Sequence, residues 1–105
     1  MTIKDFWAII KLADQRCHKT LTERGEKYNR NGITPSDYLA VAPAESEIKV
    51  ILLRLQACKD DDPEIRLSLW EDLINYGRMG MAQVIDERSN GKPKEWGHNV
   101  KPKSK

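Results

Sequence analysis

The stretch from Pro63 to Arg88 reads as one long helix, about 39 Å at 1.5 Å per residue, and its apolar residues fill two sectors instead of one. At 100° per residue, Ile65, Leu69, Leu73, Tyr76 and Gly80 form one stripe. Leu67, Trp70, Ile74, Gly77, Met81 and Ile85 cover a second side. A helix that is apolar over most of its circumference is a buried helix. A chain of 105 residues has little else with which to surround it, so the pattern predicts that a second copy covers the second sector and that the protein is a homo-oligomer.

The rest of the chain supplies three more helices. Thr2 and Asp5 form a capping-box pattern, and Phe6, Ile10, Ala13, Cys17 and Leu21 then recur at spacings of four and three. This first helix is expected to end at Gly25, or to run on to Tyr28, with residues 25–34 as a loop. Thr34-Pro35, with Asp37 in the first turn, opens a short helix through Val41. The next helix runs from about Pro43 to Lys59. Its main stripe is Ile48, Ile51, Leu52, Leu55 and Cys58, and Val50, Leu53 and Ala57 form a second apolar sector. Asp60 to Asp62 make a hydrophilic turn, and Asp62 before Pro63 is a fitting N-cap for the last helix, which should stop near Ser89-Asn90-Gly91. No strand pattern competes and no repeat occurs. The fold class is therefore all-α: an antiparallel bundle of three long helices and one short one over residues 1–88, with a flexible basic tail over 89–105.

Charge narrows the function classes. The net +2 is uneven: residues 89–105 carry five lysines against Glu95, while the other 88 residues hold 13 basic and 15 acidic groups. A basic face on the folded part is not indicated, so nucleic acid is left to weak, salt-sensitive contacts by the tail. No apolar run approaches the roughly 20 residues that span a bilayer. Cys17 and Cys58 have no metal-type spacing and fall on or beside apolar stripes, which suits reduced core thiols of a cytoplasmic protein. Glycine-rich phosphate loops and nucleophile–base constellations are absent. His18 and His98 have no partner pattern.

The acidic residues carry more information. Asp72 falls at the edge of the first stripe of the last helix, between Met79 and Ile65. A carboxylate there needs a cation, a metal or several donors; an arginine such as Arg54 would serve, or the side chain tilts out to water. Asn75 lies at i+3 from it and Glu71 is its neighbour, while Glu45 and Glu47 open the preceding long helix, where the helix dipole favours negative charge. Carboxylates on facing helices are a hard-cation pattern suited to Mg²⁺. In the segment 24–32 (RGEKYNRNG), Arg24 beside Gly25 offers a guanidinium and bare backbone to an anion; the plain alternative is a helix-ending glycine beside a solvated arginine.

Taken together, Arg24-Gly25-x-x-Tyr28, Leu53-Arg54, and the segment from Ser68 through Trp70, Glu71, Asp72, Asn75 and Tyr76 to Gly77 resemble the small, mostly phage-encoded branch of the MazG-like all-α nucleotide pyrophosphohydrolase superfamily. That branch shows an Arg-Gly-x-x-Tyr-Gly segment, a Leu-Lys-x-x-Arg element and an Asp-x-x-x-Asp-x-x-x-Tyr helix. The resemblance spans residues 21–85. It implies a Mg²⁺-dependent cleavage of a nucleoside triphosphate to monophosphate and pyrophosphate in an oligomeric bundle. It places Asp72, with Glu71 or Glu45, on the metal, Arg24 and Arg54 on phosphates, and Tyr28 or Tyr76 on the base, with Asn75 beside them. Several positions depart from the motif. Ser68 stands for the first Asp, Asn29 for the Gly after Tyr28, and Gln56-Ala57-Cys58 lacks the Arg; Ile48 and Leu69 stand where the superfamily's paired acids would fall. Either another ligand set is used or the scaffold serves a different purpose. The alternative expectation is a non-catalytic helical interaction module, such as a phage factor acting on a host protein.

Overall fold

The structure, a computed structural model, describes residues 1–58 and 62–90. They form four helices: α1 (Ile3–Arg30), α2 (Pro35–Val41), α3 (Ala44–Ala57) and α4 (Pro63–Asn90). Among the described residues there is no strand. Residues 91–105, most of the tail expected from the sequence, and Asp60-Asp61 of the expected turn lie outside the described residues.

The helix starts are set by local chemistry. Thr2 Oγ1 accepts from the Asp5 amide at 3.1 Å while Asp5 accepts from the Thr2 amide at 3.4 Å. Thr34 and Asp37 repeat this reciprocal pair at 3.1 and 3.0 Å ahead of α2. Each pair satisfies two amides that the first turn leaves without partners. Asp62 caps α4 by accepting from the Glu64 amide at 2.8 Å.

The end of α1 corrects the expectation at Gly25. The helix continues through Gly25 and Tyr28 to Arg30. It closes one turn later: Ile33 N–H donates to the Tyr28 carbonyl at 2.9 Å, and Gly32 N–H to the Asn29 carbonyl at 3.0 Å. This pair of bonds is a Schellman closure, which needs a left-handed residue just past the helix. Gly32, at φ +76°, is that residue.

The core lies between α3 and α4, which run antiparallel. Ala44, Ile51 and Cys58 face Leu69 and Tyr76, with Ile48, Leu55, Leu73 and Met79 packed around them and Leu39 of α2 joining. A Cβ on Gly80 would meet the Ala44 Cβ at 3.8 Å, so the two backbones are close at this end of the pair. The expected main stripes of α3 and α4 are thus the core, except that Leu52 and Ile65 are half exposed.

α1 joins α4 differently from what its periodicity suggests. Of its stripe, Cys17 is buried and Leu21 half-buried, whereas Phe6, Ile10 and Ala13 lie exposed. The α1–α4 seam is mostly polar. Arg16 Nε donates to Glu71 at 2.5 Å and its terminal nitrogen also pairs with Glu64. Asn75 Nδ2 donates to the Cys17 carbonyl at 3.0 Å. The second apolar sectors, Val50, Leu53 and Ala57 on α3 and Leu67, Trp70, Ile74, Met81 and Ile85 on α4, remain exposed in the single chain.

Candidate functional site

A cleft of about 940 Å³ opens where the last turns of α1, the 31–34 connection, α2 and the middle of α4 meet. Four local features build it. The extension of α1 beyond Gly25 carries Tyr28 over α2. The Gly32 closure reverses the chain within a few residues. The Thr34 cap then starts α2 so that Tyr38 and Leu39 face inward. The long α4 supplies the floor with Asp72, Asn75, Tyr76 and Met79.

Three tyrosines line one side. The Tyr28 and Tyr38 rings lie 5.1 Å apart at 32°, and those of Tyr38 and Tyr76 lie 6.4 Å apart at 23°. The Tyr38 and Tyr76 hydroxyls hydrogen-bond to each other. Burial, and next the bond to Tyr38, push the Tyr76 phenol well above its ordinary range, so it stays neutral and donates or accepts as a hydroxyl.

Across from the rings, Arg24 Nη1 meets Asp72 Oδ1 at 3.0 Å. The guanidinium is 56% exposed and the carboxylate 25%, so this pair sits at the mouth and opens at little cost. Arg78 also lines the cleft. It reaches the Asn75 side-chain oxygen at 3.5 Å and Asp14 at 3.9 Å. Asp37 is on the rim, and its carboxyl is held below the usual range by the Thr34 amide and then the Thr34 hydroxyl.

Five of the residues singled out from the sequence therefore share one cleft: Arg24, Tyr28, Asp72, Asn75 and Tyr76. Three others do not line it. Arg54 and Glu45 are exposed on α3, and Arg54 is not the partner of Asp72. Glu71 is the buried carboxylate of α4, at 8% exposure, and it binds Arg16 in the α1 seam. Asp72, expected to need a cation at the edge of the stripe, is a quarter exposed and finds Arg24 in place of Arg54, whereas Glu71, expected beside it on the metal, is the more buried of the two and is taken up by Arg16. One step along a helix is 100° of rotation, and α1 covers the Glu64–Glu71–Asn75–Arg78 sector of α4 where no apolar period marks a contact.

Tyr38 and Arg78 are site residues that the sequence did not single out. Tyr38 follows a Thr-Pro start on a short helix and precedes the buried Leu39, a faint local signal. Arg78 has none. Among the described residues, no group of three His, Cys, Asp or Glu side chains gathers closely enough to hold a metal ion. None of the described helices is long and apolar enough to cross a membrane. Comparison with family models, curated proteins and solved structures finds no match for the chain.

Proposed function

We propose that this chain is a MazG-like nucleotide-binding protein and that the cleft between α1, α2 and α4 is its binding site. The observation that carries this reading is the convergence of Arg24 and Tyr28 with Asp72, Asn75 and Tyr76, 44 or more positions away along the chain, on one opening. Its volume lies within the range of roughly 300–1,000 Å³ that small-molecule sites occupy. The tyrosine faces suit a nucleobase, because an aromatic ring stacks on any base. Arg24, once released from Asp72, is a bidentate phosphate donor, and Arg78 adds a second guanidinium.

Mg²⁺ enters this reading as the ion that accompanies the phosphates. Such an ion is commonly held by one or two carboxylates plus substrate oxygens rather than by an all-protein cage, and Asp72 is the carboxylate placed to contribute. Bound there, it would neutralise charge on the phosphates. In the fullest form of the reading the protein is a nucleoside triphosphate pyrophosphohydrolase, working as a homo-oligomer. A second reading, a non-catalytic interaction module, draws on the exposed apolar sectors of α3 and α4.

A thermal-shift panel of nucleoside mono-, di- and triphosphates, with and without Mg²⁺, tests the first reading. A ligand at a hundred times its Kd stabilises by about 2.7 kcal/mol, a shift of several degrees. Arg24→Ala should abolish the shift while leaving the unliganded Tm near wild type. A wild-type protein that no nucleotide moves sinks the proposal and leaves the second reading. Pyrophosphate release that is absent, or equal in Asp72→Ala, confines the function to binding.

A further inference from the structure

We propose that Asp72 is a built-in competitor for the anion site of the cleft: its carboxylate holds Arg24 in the unliganded protein, and an anionic ligand binds by taking its place. The exchange rests on the reading of the cleft as a nucleotide site, and it adds what must leave before a phosphate enters.

Each long helix that bounds the cleft brings one charged group and one ring: Arg24 and Tyr28 at i, i+4 on α1, and Asp72 and Tyr76 at i, i+4 on α4. The two charged groups meet, with Arg24 Nη1 at 3.0 Å from Asp72 Oδ1. A carboxylate and a phosphate ask for the same N–H fork of a guanidinium, so Asp72 occupies the contact that a phosphate oxygen needs. One nitrogen on one oxygen is the weaker form of such a pair. Both groups also reach water, Arg24 at 56% and Asp72 at 25% exposure. The pair fills the guanidinium and yields it at small cost.

The other charges of the cleft are held elsewhere. Arg78 is drawn to Asn75 and Asp14 at 3.5 and 3.9 Å, and Asp37 is bound by the Thr34 amide at 3.0 Å. Arg24 and Arg78 against Asp37 and Asp72 leave the lining with no net charge. A neutral cleft does not draw an anion from a distance. The anion has to win the contact at Arg24, and the displaced carboxylate then stands beside it and repels it. Removing the charge of Asp72 therefore helps an anion twice, by releasing the guanidinium and by ending the repulsion.

Isothermal titration of the full chain with ADP, and separately with inorganic pyrophosphate, both in EDTA, tests the exchange. Asp72→Asn keeps the shape of the side chain and removes its charge. It should bind either probe about tenfold tighter than wild type, with an unliganded Tm close to wild type because the pair is partly exposed. Adding Arg24→Ala to Asp72→Asn should erase the gain. Asp37→Asn removes an equal charge from the same rim and can still cap α2; it should gain no more than about twofold, because its effect acts only through solvent-screened distance. An Asp72→Asn protein that binds no tighter, while wild type binds ADP, overturns the exchange and leaves the nucleotide reading standing. Equal gains from the Asp72 and Asp37 variants overturn it too, as does a gain that survives Arg24→Ala. Tighter pyrophosphate with ADP bound no better than pyrophosphate keeps the exchange and removes the nucleotide reading. If neither probe binds wild type or Asp72→Asn, both fall.

Discussion

Asn75 is the side chain whose removal most directly tests how α1 is held. It is 3% exposed, and its Nδ2 donates to the Cys17 carbonyl at 3.0 Å. Asn75→Ala leaves that carbonyl, on a buried residue, without its side-chain donor. The carbonyl lies mid-helix and keeps the Leu21 amide as its helical partner, so the loss is that of one buried hydrogen bond, about 0.5–1.5 kcal/mol, and the space left by the amide adds about 1 kcal/mol where the helices do not close over it. The expected loss is therefore about 1.5–2.5 kcal/mol, a large share of the roughly 5–15 kcal/mol that stabilises a chain of this size. Urea unfolding followed by far-UV circular dichroism should show the midpoint falling at constant m. An Asn75→Ala protein within about 0.5 kcal/mol of wild type would show that the amide is no clamp and that α1 is held without it.

The two glycines near the end of α1 should respond in opposite directions. Gly32→Ala should cost about 1–2 kcal/mol because φ +76° is left-handed. Gly25→Ala should gain about 0.5–1 kcal/mol, since a Cβ there meets nothing within 4 Å and mid-helix glycine is unfavourable; chemical denaturation of each variant measures both. Tyr76 makes the fold alkali-sensitive. Its phenol is raised by burial and by Tyr38, so its contribution is intact below the unfolded value near 10 and falls as pH rises above it. Tyr76→Phe should flatten that alkaline loss in pH-dependent melting, and absorbance at alkaline pH should show one tyrosine of the three ionising late.

How much of this was legible in the sequence depends on how local each determinant is. Thr2–Asp5, Thr34-Pro35 and Asp62-Pro63 announced three helix starts correctly because a cap is made by residues within one turn of each other. The α3–α4 core was legible for a related reason: Ile51 and Leu69 sit on stripes that are apolar along their length, and the short connection forces the two helices together. Gly25 and Gly32 could not be ranked by composition. A glycine ends a helix only where the chain needs a left-handed residue, and Asn31 and Ile33 complete that closure around Gly32. The exposed Phe6 and Ile10 show the limit of periodicity, which marks a face as apolar without naming its cover. The cleft was half legible. Arg24, Tyr28, Asp72, Asn75 and Tyr76 were found together through a motif, whereas Arg78 and Tyr38 join them only through the crossing of α1 and the placement of α2. Glu71 is drawn away from Asp72 because α1 docks on α4 through Arg16 and Asn75. A seam made of guanidinium–carboxylate pairs and one amide leaves no repeating signal in either helix, so the side of α4 that it covers is decided in space.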